Sequence, residues 1–313
     1  MMLAVAVLVK LLFAGLVTVL LALLVFFYAW AERQFLARSQ QRHGVSLSKA
    51  RGVSVVAADF VKLLFKDNSS GTTGRNFLVS ISIFLPVLFF IYLFQAFGQI
   101  DGGRGEVFLL FFILGMSLWT QKVLVFSPIE ERERFSFDHS HVLLLMAMAA
   151  LFLSLLPTVL ITGSGSLTAI DRFQEKFPFI LMLHSPGTFL AALTSFVSLL
   201  LLLRLGAAGP ESGQFLNGTK GQSFFWIQRL WIVCMVSLWV YVNLGGGPLG
   251  LIDFFSFILR VVVVLCLFLW VHVSLPRGRT TDLSHFVLRA LVPLALIAVM
   301  AELVWISGPG RSG

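Results

Sequence analysis

Charged residues are scarce in this chain. Asp, Glu, Lys and Arg make up 12% of 313 residues, while 58% are hydrophobic; a soluble domain carries about 25% and about 45–50%. So little charge cannot clothe a water-facing surface, which excludes an ordinary soluble domain and leaves lipid as the medium for the surplus. Cysteine is nearly absent, and Cys234 and Cys266 both lie in apolar runs. Two isolated thiols cannot hold an iron–sulfur cluster, which takes about four. No CxxC occurs, and the six His show no zinc spacing. Both thiols read as small buried hydrophobes, and no cofactor is expected on this chain. The sequence also lacks an internal repeat or an inverted pair of broken helices, the marks of many transporters. No nucleic-acid module accompanies the net charge of +8.

What the chain has instead is long apolar runs. Eight can be marked, at roughly 3–30, 77–98, 106–127, 141–163, 177–204, 224–245, 251–275 and 285–306. A spanning helix takes about 20 residues, and backbone groups in lipid must pair within their own segment. An all-α polytopic membrane protein with about eight transmembrane helices follows, residues 1–313 forming a single membrane domain. The run after Met1 has its polar flank at the wrong end for a cleaved signal peptide, so it reads as the first span.

Basic residues divide unequally between the two sides. The connections 31–76, 128–140, 205–223 and 276–284, with Arg204 at an edge, hold fourteen Lys and Arg, among them Arg33, Arg38, Arg42, Lys62, Lys66, Arg132, Arg134, Lys220, Arg277 and Arg279; the other side holds Arg104, Arg172, Lys176 and Arg311. The positive-inside rule places the basic side in the cytoplasm and both termini outside. A bacterial cytoplasmic (inner) membrane is the expected location.

The loop 31–76 has internal order. Val53, Val56, Phe60, Leu63 and Leu64 recur at helical spacing, with Asp59, Lys62 and Lys66 polar between them. That pattern predicts an amphipathic helix over about 53–66. Such a helix can lie in the membrane interface or roof a cavity that opens to the bilayer. The cluster Glu130, Glu131, Arg132, Glu133 and Arg134 reads as a solvated loop.

Several blocks resemble a known family. The run Glu32-Arg33-Gln34-Phe35-Leu36-Ala37-Arg38-Ser39-Gln40-Gln41-Arg42-His43-Gly44 is similar to the segment after the first helix of the H subunits of the NADH-quinone oxidoreductases. Ala58-Asp59, Lys62-Leu63 and Lys66-Asp67 resemble the amphipathic helix that follows it in that family. Trp270, His272, Leu275-Pro276-Arg277, Arg279 and Asp282-Leu283 resemble the block before its last helix, followed by Pro293-Leu294. Gly187 and Phe189 fit the start of its fifth helix, and Tyr241 and Asn243 fit its sixth.

The resemblance implies a membrane subunit of a respiratory NADH-quinone oxidoreductase-like complex, forming the quinone cavity and docking the peripheral redox arm. Quinone would be the substrate, FMN and iron–sulfur clusters would belong to partner subunits, and antiporter-like membrane subunits and lipid would be neighbours. It implies Asp59, Asp138, Glu211 and Tyr241 as quinone-cavity or proton-path residues. It implies Arg33, Arg38, Arg42, Lys62, Arg277, Arg279 and Asp282 as docking residues for the peripheral arm. The basic residues can equally be obeying topology, and Tyr241 can be a packing aromatic.

The chain also departs from the family pattern. Val240 stands where the family has Glu beside the Tyr, and Ser198-Leu199-Leu200-Leu201-Leu202 replaces a stretch with an acid and an Arg. An acidic loop is reduced to Pro210-Glu211-Ser212. A proton path that is broken or rerouted is therefore expected. Alternative readings are the membrane subunit of an energy-converting hydrogenase, a structural paralogue within a larger complex, and a stand-alone transporter with Arg260 marking its substrate site.

Overall fold

The computed structural model describes residues 2–41, 52–65, 73–96, 106–126, 131–176, 181–206, 219–245, 251–274, 283 and 285–307. Among them every regular element is helical. The order is α1 (Met2–Ser39), α2 (Val53–Phe65), α3 (Thr73–Ala96), α4 (Glu106–Phe126), α5 (Glu131–Thr162), α6 (Leu167–Lys176), a 3-10 turn (Leu181–Leu183), α7 (Pro186–Gly206), α8 (Thr219–Leu244), α9 (Leu251–Ser274), a π turn (Val287–Leu291) and α10 (Val292–Ser307).

All eight expected spans fall on helices. Six described stretches are long and apolar enough to cross a membrane: Leu12–Ser39, Val142–Thr162, Pro186–Leu203, Trp226–Leu244, Phe254–Ser274 and Val287–Ser307. The remaining two lie on α3 and α4, whose apolar stretches Val79–Leu93 and Val107–Gln121 are shorter. The expected amphipathic helix is α2.

The core is built around α8, which packs against α1, α3, α4, α7 and α9, while α5, α7 and α10 pack on one another. Every residue from Trp231 to Asn243 is buried. Between helices in lipid there is no hydrophobic drive, so close packing and hydrogen bonds must supply the attraction. The bonds are present: Trp231 Nε1 donates to the carbonyl of Leu114 on α4 at 3.0 Å, and Trp239 Nε1 to Ser195 Oγ on α7 at 2.8 Å. The Cys234 thiol donates to the Pro86 carbonyl on α3 at 3.4 Å, in keeping with its reading as a small buried side chain. Outer helices show the reverse pattern. On α1, Leu12, Leu16, Val19 and Leu23 form an exposed apolar stripe while Val17, Leu21, Leu24 and Tyr28 are buried. A stripe of that kind suits acyl chains.

The structure corrects several boundaries. Helix α1 runs on to Ser39, so the polar block from Glu32 to Ser39 is helical rather than the start of a loop. The expected connection 128–140 is helical from Glu131, and α5 extends the fourth span by about ten residues toward the basic side. Residues 167–176, expected as part of a connection, form α6. The fifth span starts late, at Pro186. Its start is fixed by a reciprocal cap: Ser185 Oγ accepts from Thr188 N–H at 3.0 Å, and Thr188 Oγ1 accepts from Ser185 N–H at 3.0 Å. That is a capping box in form, with proline at the first helical position, where its missing N–H costs nothing. In the last span one turn is widened. Val292 N–H bonds the Val287 carbonyl, five residues back, beside Pro293, which has no N–H for the regular ladder.

Candidate functional site

Two polar clusters flank α8, one near each end. The first is where α1, α2 and α8 meet. Arg33 Nη2 on α1 donates to Asp59 Oδ2 on α2 at 2.5 Å. One residue earlier, Glu32 Oε2 accepts from Arg229 Nε on α8 at 2.9 Å. The Arg229 guanidinium also lies over the Trp226 ring at 5.4 Å from its centroid, and Trp226 packs against Phe26 at 5.2 Å. The fully buried Tyr28 sits one turn before Glu32. The result is a strip of paired charges bordered by aromatic rings, at the end of α1 that leads into the basic loop. Paired charges and a cation over an indole can persist at an apolar boundary, because each charge keeps a partner.

The second cluster is at the far end of α8. Arg229 and Tyr241 are twelve positions apart, or about 18 Å along a helix. Here the Tyr241 hydroxyl donates to Asp171 Oδ2 on α6. Gln174 Nε2, one turn further along α6, donates to the carbonyls of Tyr241 and Val242 at 3.3 and 3.2 Å. Arg260 Nη1 on α9 donates to the carbonyls of Leu244 and Gly245 at 2.7 and 2.9 Å. The last carbonyls of a helix have no partner within it, and side chains of α6 and α9 fill that role for α8. Gly245 has φ +81°, the left-handed conformation that commonly closes a helix and suits glycine.

The expected site residues thus separate. Asp59 and Arg33, given different roles from the sequence, share one ion pair. Tyr241 lies at the opposite end of α8 from both. Arg38 and Lys62 are exposed, near the Arg33 end of α1 and on α2. Asp138 falls on the helical backbone of α5. Arg42, Glu211, Arg277, Arg279 and Asp282 lie outside the described residues. Arg260, the proposed mark of a transporter site, directs donors to helix-end carbonyls instead.

Four contributors have no site role in the sequence reading: Glu32, Arg229, Asp171 and Gln174. Asp171 and Gln174 carry a legible signal, since Leu167 and Ile170 are both fully buried and fall on one face of a ten-residue amphipathic segment. The Glu32–Arg229 pair spans 197 positions and has no local signal. Among the described residues no group of His, Cys, Asp or Glu is arranged to hold a metal ion.

Similarity to known proteins converges on one family. The NADH dehydrogenase family pattern matches residues 11–204 and 217–303. The H 1 subunit of the NADH-quinone oxidoreductase of Rhodopseudomonas palustris (strain BisA53) is 30% identical over 305 residues, covering 90% of this chain and 92% of that protein. An H 2 subunit of the NADH-quinone oxidoreductase of Syntrophobacter fumaroxidans is 25% identical over 321 residues, covering 94% and 96%. Among solved structures, a chain of the archaeal membrane-bound sulfane sulfur reductase, a respiratory membrane complex, superposes with a TM-score of 0.78 at 18% identity. It covers 94% of this chain and 99% of that one, a likeness of fold.

Proposed function

The chain belongs to the NADH dehydrogenase family, and on that premise we propose that it is the membrane component of H-subunit type in a respiratory NADH-quinone oxidoreductase-like complex. Its role is to house the quinone access path and to dock the peripheral redox arm. The observation that carries the reading is the junction of α1, α2 and α8, tied by Arg33–Asp59 and Glu32–Arg229 and flanked by Trp226 and Phe26.

A quinone has an apolar tail and a head group that takes protons on reduction. The tail needs an apolar path open to lipid, and the head needs hydrogen-bonding and titratable groups at its end. The junction offers both chemistries side by side. Arg38 and Lys62, exposed beside it, add positive potential for acidic surfaces of the peripheral arm, and Arg42, Arg277, Arg279 and Asp282 belong to the same docking proposal. FMN and iron–sulfur clusters are carried by partner subunits in this reading.

The proton path is altered rather than lost. Val240 offers no acid beside Tyr241, and Leu199 to Leu203 are a buried apolar run. The carboxylate that meets Tyr241 comes from Asp171 instead. Asp138 and Glu211 remain candidates on the basic side. The test is purification of the tagged chain from its own membranes in mild detergent, with mass spectrometry of the proteins that accompany it. Flavin and iron–sulfur subunits with antiporter-like membrane proteins are expected; a chain that purifies alone contradicts the proposal.

A further inference from the structure

Glu302 is a carboxyl group with no exposure at all, on the last helix. Its Oε2 accepts from the hydroxyl of Ser185, and Oε1 meets no hydrogen-bond partner among the described residues. Neither oxygen belongs to either cluster flanking α8. Ser185 Oγ lies 3.0 Å from Thr188 Oγ1, and Thr188 Oγ1 can donate to the Ser185 carbonyl at 2.9 Å. Both hydroxyls are buried, whereas Leu183 and Pro186, on either side of Ser185, are exposed. The three side chains therefore form a short chain of hydrogen bonds directly beneath an exposed turn. Room for the carboxyl is made by Gly187, where any Cβ would sit 2.5 Å from Glu302 Oε2.

The chain of hydroxyls accommodates both charge states. With Glu302 ionised, Ser185 donates to Oε2 and the carboxylate faces the N-terminus of α7, where the helix dipole favours negative charge. With Glu302 protonated, Oε2–H donates to Ser185 Oγ, Ser185 donates to Thr188 Oγ1, and Thr188 donates to the Ser185 carbonyl. Only hydroxyl rotors move, and no heavy atom need shift. A buried acid in an apolar span is costly and commonly marks a proton route.

The neighbouring elements supply no competing charge among the described side chains. The surfaces of α5 and α7 that pack on α10 present only neutral groups, with no charged residue from Val142 to Thr162 or from Pro186 to Leu203. Within the π turn Arg289 is exposed and thirteen positions from Glu302, or about 20 Å along a helix. Just after the 3-10 turn His184 packs edge-on against Phe173 of α6, which places the site at the Tyr241 end of the bundle.

We propose that Glu302, Ser185 and Thr188 form a proton-exchange site, in which the Glu302 carboxyl loads from and unloads to water at the Tyr241 end of the bundle. On loading, an O–H bond forms at Glu302 Oε2 as the Ser185 O–H breaks. Ser185 Oγ regains a proton from Thr188 Oγ1, and Thr188 Oγ1 takes one from a hydronium ion that enters through the turn between the exposed Leu183 and Pro186. No electrons move. The site does not depend on the quinone reading.

The test is infrared difference spectroscopy of the assembled membrane complex with glutamate carboxyls isotopically labelled, followed through a pH titration. A protonated-carboxyl band that disappears as pH rises, is missing in Glu302→Gln, and titrates at higher pH in Ser185→Ala by roughly one to two units is the expected result. The Ser185→Ala shift identifies the band even where Glu302→Gln fails to assemble. A labelled band that never titrates, or one whose midpoint is unmoved in Ser185→Ala, overturns the proposal and leaves Glu302 as a static tie between α7 and α10.

Discussion

Arg33 and Asp59, 26 positions apart, meet at 2.5 Å and fasten the amphipathic helix α2 to the end of α1. Each side chain is 34% exposed, so the pair itself adds only about 0.2–1 kcal/mol to stability. Asp59→Asn should therefore leave the melting temperature of the complex nearly unchanged. Its quinone-reductase rate should fall about tenfold or more, a change of about 1.4 kcal/mol in the barrier. Thermal-shift and steady-state assays on the same preparation separate the two effects.

Glu32 and Arg229 are less exposed than that pair, at 27% and 16%. Arg229→Gln leaves a half-buried carboxylate without its cation and removes the contact with the Trp226 ring. A loss of about 1–3 kcal/mol is expected. The double variant with Glu32→Gln should recover part of it, because neither charge is then stranded. Denaturation of the detergent-solubilised complex in a double-mutant cycle measures the coupling.

Gly187→Ala should be among the most damaging single changes in the chain. Besides Glu302 Oε2, the new methyl group would meet Glu302 N at 2.8 Å and the Ala298 carbonyl at 2.9 Å, and backbone cannot swing aside as a side chain can. Overpacking costs about 1–3 kcal/mol where neighbours yield, and more is expected here. The readout is the amount of folded chain retained in the assembled complex.

Tyr241→Phe removes the donor to Asp171 while keeping the ring against Phe257, whose centroid lies 6.4 Å away. If this pair lies on the proton route, Tyr241→Phe and Asp171→Asn lower the number of protons moved per quinone reduced while the electron-transfer rate stays near wild type. Proton uptake measured in sealed vesicles alongside quinone reduction gives the ratio. An unchanged ratio in both variants removes the pair from the route.

The spans were legible because lipid imposes a length and a composition, and α2 because its apolar positions recur every three or four residues. Boundaries were less legible where charge interrupted a helix. Glu131 to Arg134 and Glu32 to Arg38 read as loop by hydropathy, yet the helices run through them, since backbone bonding continues beyond the apolar layer. What meets the ends of α8 was not legible from α8 itself. Its carbonyls are met by Gln174 and Arg260, and its flank by Glu32, all from other helices. The partners of Arg260 are the backbone oxygens of Leu244 and Gly245, which no side-chain pattern in the sequence marks. Glu302 was visible as a rare acid in a span, but nothing local linked it to Ser185, 117 positions away.

Photoaffinity labelling of the assembled complex with an azido-quinone tests where the quinone binds. The labelled residues can be mapped by mass spectrometry and competed with unmodified quinone. Competable label on α1 near Phe26 to Arg33, on α2, or on α8 near Trp226 to Arg229 is the expected result. Competable label confined to other helices of this chain or to other subunits, with none at this junction, would contradict the assignment of the quinone path to α1, α2 and α8.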